Sequence, residues 1–223
     1  MNLMLDTANL DKIKEYLNYF NIDGVTTNPS ILKNTPKEEL NSTLLGIKAI
    51  LPKEATLHVQ VVALDAEGMY QDAQAIRDLL GKEVSIKVPV TKEGLRVIKR
   101  LKEEGFCVTA TAIYSQVQAL LAINLGADYI APYVNRMQNL NIDAIESIRL
   151  IHQYIKDNNA KTRILGASFK NIEQVTQTLY AGADFVTVGE EVLDTFLKQT
   201  LAKEAAEDFL EDWQDQFKRD TFN

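Results

Sequence analysis

Lys87 stands inside an apolar run, "VSIKVPV" at residues 84–90. Side chains alternate across a strand, so Val84, Ile86, Val88 and Val90 share one face while Ser85, Lys87 and Pro89 share the other. Burial disfavours a charged ammonium and lowers its pKa. A neutral lysine amine can then attack a ketone or aldehyde and form a Schiff base. Once protonated, that imine draws electrons from a neighbouring C–C bond, which breaks without help from a metal. The chemistry also needs a proton carrier, and Tyr133 is the candidate, working through a water held by Gln60 and Thr111. Two plainer readings stand beside this one. Lys87 could sit in a buried ion pair with Asp6, and Tyr133 could be a core tyrosine with a satisfied hydroxyl.

The same alternation, applied along the chain, gathers further polar residues. Val59, Val61 and Ala63 leave His58, Gln60 and Val62 on the opposite face. Phe106, Val108, Ala110 and Ala112 leave Cys107, Thr109 and Thr111. Ile130 and Val134 leave Ala131 and Tyr133. Leu3 and Leu5 leave Met4 and Asp6, and Val25 leaves Thr26 and Asn28. Leu165, Ala167 and Phe169 leave Gly166 and Ser168. The expected inward set is Asp6, Asn28, Gln60, Lys87, Thr111, Tyr133 and Ser168. Barrel interiors are normally filled by branched apolar side chains, so this polarity points to a site.

The elements that must position these residues alternate from end to end. β-like runs at 3–8, 24–29, 57–63, 84–90, 106–114, 128–136, 162–170 and 184–189 are each followed by a helical pattern. Strands alternating with helices of this length argue for parallel pairing through helical crossovers. Eight such units are the number that closes a (β/α)8 TIM barrel, and chemistry in that fold lies at the strand C-termini. The expected architecture is α/β: one domain over 1–223, with the barrel at about 1–200 and an extra C-terminal helix at about 201–220. An open doubly wound sheet is the alternative, but neither GxGxxG nor GxxxxGK[ST] is present. "LGADYIAPY" and "AGADFVTVG" resemble one another, a hint of repeated βα construction. In the C-terminal segment Ala205, Phe209, Trp213 and Phe217 recur every fourth residue. Such a stripe packs either on its own barrel or on a neighbouring subunit.

Bulk properties narrow the partners. A formal charge of −7 argues against nucleic acid and acidic membranes, though an anionic small substrate remains open if positive charge is local. A single cysteine, Cys107, builds no disulfide framework and suits a reducing cytoplasm. No apolar run approaches the ~20 residues of a membrane span. The N-terminus, with its early Asp6, does not read as a signal peptide. No metal or cofactor is expected, because His58 and His152 are the only histidines and no ligand spacing is present. His58 reads as lower barrel interior, His152 as a helix surface residue, and Cys107 as small core.

"LDTAN", "GVTTNPSIL", "KVPVTKEGL", "APYVNR" and "ASFK" occur in this order, and the chain from residue 3 to about 217 resembles the small transaldolase-like family. The resemblance implies a TIM barrel with the Schiff-base lysine on the fourth strand, where Lys87 falls. Transaldolases of this type usually carry Glu in the third strand and Phe in the sixth. Here Gln60 and Tyr133 stand instead, which resembles the fructose-6-phosphate aldolase branch. There the tyrosine is the acid/base and the glutamine helps to hold the catalytic water. The resemblance further implies that Asp6 and Asn28 hold hydroxyls of dihydroxyacetone, and that Arg136 and Ser168 bind the phosphate of glyceraldehyde 3-phosphate. Lys170 reads either as a helper there or as a solvated loop charge. Gly189 stands where relatives often have Pro, and Thr109 where the aldolase branch tends to have an apolar residue; both bear on the acceptor. The family also implies a homo-oligomer, a decamer among the options, in which C-terminal helices embrace neighbours. A transaldolase that transfers the three-carbon unit is the alternative activity. A phosphosugar-binding barrel without catalysis is the alternative class.

Overall fold

Parallel neighbours cannot be joined by a hairpin, so each strand must hand the chain to a crossover. The computed structural model, which describes residues 1–198 and 201–222, is built this way throughout. Its strands are β1 (Asn2–Asp6), β2 (Ile22–Thr26), β3 (Thr56–Gln60), β4 (Ser85–Pro89), β5 (Cys107–Ile113), β6 (Tyr129–Pro132), β7 (Arg163–Gly166) and β8 (Phe185–Val188). They pair in sequence order and β8 returns to β1, closing a parallel barrel. The helices between and after them are α1 (Leu10–Tyr16), α2 (Pro29–Leu32), α3 (Leu40–Ile50), α4 (Ala66–Leu80), α5 (Lys92–Glu103), α6 (Gln116–Asn124), α7 (Val134–Asn139), α8 (Ala144–Asp157), α9 (Ile172–Tyr180) and α10 (Glu190–Leu197), with α11 (Leu201–Phe217) at the C-terminus. This is the expected (β/α)8 barrel with an added helix. The expected boundary between barrel and extension, near residue 200, falls outside the described residues.

Short polar side chains begin the helices. Asp65, Thr91, Ser115, Asp143 and Asn171 each accept a hydrogen bond from the backbone N–H three residues on, which satisfies a donor the first helical turn leaves free. At α5 the approach to β4 is so close that a Cβ on Gly94 would lie 1.9 Å from the Pro89 carbonyl oxygen, so only glycine fits.

The strand residues read as outward do meet the helices. Leu5, Val25, Ile86, Val88, Val108, Ala110 and Ile130 are fully buried in one continuous core with the helix faces. A fully buried Val, Leu or Ile contributes roughly 1.5–3 kcal/mol, so this shell dominates the stability. The barrel's own floor is a separate cluster of Met4, Tyr129 and Leu165, with Cys107 and Phe185 against it. The similar runs noticed in the sequence have a shared task. Asp128 and Asp184, just ahead of β6 and β8, accept the backbone N–H of Val108 and Ile164 on the preceding strands at 2.8 and 2.7 Å. Asp23 does the same for Leu3 at 2.8 Å. Each carboxylate fixes the height of one strand against the last.

Two details differ from expectation. The strands are shorter than their apolar runs: β6 ends at Pro132 and α7 starts at Val134, where a single strand was read to 136. On β7 the alternation is off by one. Leu165 points to the barrel floor with Met4 and Tyr129, while a Cβ on Gly166 would meet Thr178 of α9 at 2.5 Å. Ile164 and Leu165 are equally apolar, so polarity carried no signal there.

Within α11, Phe209 is 71% exposed and Phe217 49%. Trp213 packs tilted against Phe217 and stacks on Phe222, at centroid distances of 4.2 and 5.7 Å. Two of the three aromatic residues of the stripe are thus left exposed by their own chain.

Candidate active site

Strand register sets the heights of the interior residues. Gln60 lies level with Lys87 across β3–β4, and Lys87 is level with Thr109 and Pro89 with Thr111 across β4–β5. Lys87 points inward and is only 4% exposed. Its Nζ donates to the backbone carbonyl of Thr27 at 2.9 Å. Burial pushes its pKa down, and the charge of Asp6 opposes this only partly. No ion pair closes between the two. The Asp6 carboxylate instead accepts the Thr26 hydroxyl at 2.6 Å, and Thr26 is bonded in turn to Thr187 at 2.7 Å. The buried Lys87–Asp6 pair considered from sequence is therefore not what the barrel contains.

Thr111 and Tyr133 meet because β5 is irregular. Between the pairs Ala110–Ile130 and Ile113–Pro132, β5 has two residues where β6 has one. The extra residue forms a bulge, and Ala112 takes a left-handed φ of 55°. Thr111 Oγ1 donates to the Tyr133 hydroxyl at 3.1 Å. Tyr133 lies just past β6, bridged to Ala167. Burial raises its pKa, so the phenol form is favoured. Gln60 Oε1 is buried with no partner among the described residues. An acceptor in that state calls for a water or a ligand.

Above this layer, Arg136 is exposed on α7. Its guanidinium lies 4.9 Å from the centre of the Tyr133 ring, and Nη1 donates to the Tyr114 hydroxyl at 3.1 Å. Asn28 caps α2, accepting from Ile31 N at 3.1 Å. Ser168 follows β7 with a φ of 63°, and its carbonyl accepts from Asn135 N. Lys170 is 64% exposed and faces Glu191 at 3.5 Å, the solvated role. Below Lys87, His58 is fully buried between Thr56 and Thr109, each at 2.8 Å, and Thr109 is bonded to Ser85. Burial first, then the nearby Lys87 charge, lower its pKa to about 3, so it is a neutral interior residue.

Sequence reasoning missed three partners. The Thr27 carbonyl escaped because parity speaks only of side chains. Thr187 lies on β8, the one strand that contributes nothing to the expected inward set. Tyr114 is the last residue of the expected run at 106–114 and lies just past the observed end of β5, and its aromatic type gave no sign that it would reach Arg136.

A closed barrel whose interior holds a buried lysine, with a tyrosine just past β6 bonded to Thr111, defines a TIM-barrel protein with a polar mouth. Residues 3–222 match the family model described as Transaldolase/Fructose-6-phosphate aldolase, and the chain belongs to that family. A relative from Streptococcus pneumoniae named "Probable fructose-6-phosphate aldolase" is 45% identical over 96% of each chain. Two relatives named "Probable transaldolase" come from Methanococcus maripaludis, 37% identical over 98% of this chain and all of that one, and from Thermoplasma acidophilum, 38% identical over 96% and 95%. The crystal structure of a putative fructose-1,6-biphosphate aldolase from Coccidioides immitis shares the fold, with a TM-score of 0.60 at 16% identity over 92% of this chain and 79% of that one.

Proposed function

We propose that this chain is a class I, Schiff-base aldolase that reversibly cleaves fructose 6-phosphate to dihydroxyacetone and glyceraldehyde 3-phosphate. The observation that carries the reading is Lys87: inward, buried, pushed toward its neutral form and bonded to a carbonyl instead of a carboxylate. Its amine adds to the C2 ketone and water leaves. The protonated imine takes the C3–C4 electron pair as the C4 hydroxyl gives up its proton, and the aldehyde departs. Proton return to C3 and hydrolysis then release dihydroxyacetone and free the amine. Tyr133 moves the proton, through a water held by Gln60 and Thr111. Its raised pKa suits the synthetic direction, in which a phenol must donate to the forming alkoxide. Asp6 and Asn28 hold donor hydroxyls, and Arg136 and Ser168 the acceptor phosphate. The planar fork of Arg136 suits phosphate oxygens.

Transaldolase activity is the second reading, favoured by the two relatives that carry that name. One assay separates them. Free dihydroxyacetone appears from fructose 6-phosphate alone if the chain is an aldolase. Turnover that begins only when erythrose 4-phosphate is added overturns the assignment in favour of transfer. The uncovered aromatic stripe of α11 supports a homo-oligomer joined through that helix, and the lone cysteine supports a cytoplasmic setting.

A further inference from the structure

Beside the barrel mouth lies a cavity of about 730 Å³, and Asp6 belongs to both. It opens between α1 and the segment from α2 to α3, and α10 closes one side with Glu190. That volume is within the range of small-ligand sites and far exceeds what one C1 hydroxymethyl group would fill. Its wall offers hydrogen-bonding groups that the protein does not use. The side chains of Asn34, Thr35 and Thr43 line it and have no hydrogen-bond partner among the described residues. Glu190 is half-buried, and its Oε1 accepts from the Thr7 hydroxyl, while Oε2 is without a partner among the described residues. Carboxylates outnumber the one lysine on this wall, Lys14, so a phosphate would be repelled. Amide, hydroxyl and carboxylate groups around an open volume suit a neutral polyol.

From this we infer that the cavity is an extension of the donor subsite, taking the hydroxylated tail of an unphosphorylated ketose longer than dihydroxyacetone. The inference rests on the Schiff-base reading of Lys87. The ketone carbonyl condenses with the Lys87 amine, losing water. Asp6 holds the hydroxyl next to that carbonyl. The carbons beyond it reach the cavity, where Glu190 Oε2 accepts a hydroxyl and Asn34 offers a second contact.

The test uses erythrulose, a four-carbon unphosphorylated ketose, against dihydroxyacetone. Each is trapped on the full-length protein with borohydride, whose hydride reduces the imine to a stable secondary amine, and the adduct at Lys87 is quantified by mass. In Glu190→Leu the half-saturating erythrulose concentration should rise about tenfold relative to that of dihydroxyacetone, the loss of one hydrogen bond to a charged acceptor. Asn34→Ala, on a separate loop, should shift the ratio in the same direction. Equal shifts for both ketones in both variants overturn the inference, since Glu190 would then only brace Thr7 and the β1 loop. If wild-type protein traps dihydroxyacetone but not erythrulose, the inference fails and the proposed function stands. If it traps neither, the Schiff-base reading itself fails.

Discussion

The Lys87 nitrogen lies 2.9 Å from the backbone carbonyl of Thr27, and that carbonyl is its one hydrogen-bond acceptor among the described residues. A carbonyl satisfies one N–H of an amine without supplying the charge that would keep it protonated. This holds the amine in place and leaves its lone pair available on deprotonation. Lys87→Met should abolish borohydride trapping by dihydroxyacetone and lower turnover by at least about 10⁴-fold. It should also raise Tm near neutral pH. The sign follows from the lowered pKa: the unfolded lysine binds a proton up to about pH 10.5, and the folded one resists it, so the native fold is penalised below that pH. The stabilisation should shrink as pH rises toward 10.5. A Tm gain independent of pH would mean that Lys87 is not pushed toward neutrality.

Tyr133 and Thr111 should act after the imine has formed. Tyr133→Phe removes the hydroxyl that Thr111 contacts and should lower turnover by about 10²–10⁴-fold. Trapping at Lys87 should persist. Loss of trapping together with turnover would make Tyr133 a structural support of the lysine pocket.

Gln60 is level with Lys87 across β3–β4, with its Oε1 buried and without a partner among the described residues. Gln60→Glu places a carboxylate there. Transfer to erythrose 4-phosphate should rise relative to release of dihydroxyacetone, read as the ratio of the two products. The pH at which Lys87 begins to trap should also move upward, because a nearby negative charge favours the ammonium. An unchanged product ratio would remove Gln60 as the residue that separates the two activities.

Strand alternation revealed Lys87, Gln60 and Thr111 because β3, β4 and β5 each pair an apolar face with a polar one. It failed at β7, where Ile164 and Leu165 are alike. The same alternation pointed to Tyr133, Asn28 and Ser168, yet all three lie beyond their strands, where the pleat no longer dictates direction. The bulge at Ala112 was invisible, since alanine carries no turn signal and its left-handed φ is imposed by the register between β5 and β6. Backbone groups such as the Thr27 carbonyl leave no trace in residue type. The shell of the barrel was thus readable from periodicity, while the contacts that tune its centre depended on tertiary geometry.

That bulge gives a stability prediction. A β-branched side chain is strongly disfavoured at positive φ, so Ala112→Val should cost about 1–3 kcal/mol in urea unfolding. It should also lower turnover by more than it lowers trapping, because Thr111 loses its aim at Tyr133. Ala112→Gly, which relieves the strained φ, should keep both activities. Equal tolerance of valine and glycine would show that the bulge is not needed to place Thr111.

His58 supplies the clearest dependence on pH. Its folded pKa is about 3, against 6.5 for an ordinary histidine. Between those values the unfolded chain binds a proton that the folded barrel refuses. Stability should therefore fall as the solution is acidified from pH 6.5 toward 3, by about 1.4 kcal/mol per pH unit from this residue alone. Above pH 6.5 both states are neutral and the contribution is level. His58→Asn removes the titration while keeping polar atoms beside Thr56 and Thr109. Urea unfolding at several pH values should give a shallower slope between pH 6 and 4 for the variant than for the wild type, with parallel curves above pH 7. Identical slopes would mean that His58 takes up a proton inside the barrel. A second cation beneath Lys87 would then press that amine still harder toward its neutral, nucleophilic form. Trapping in the wild type would in that case fall off less steeply on acidification than in His58→Asn.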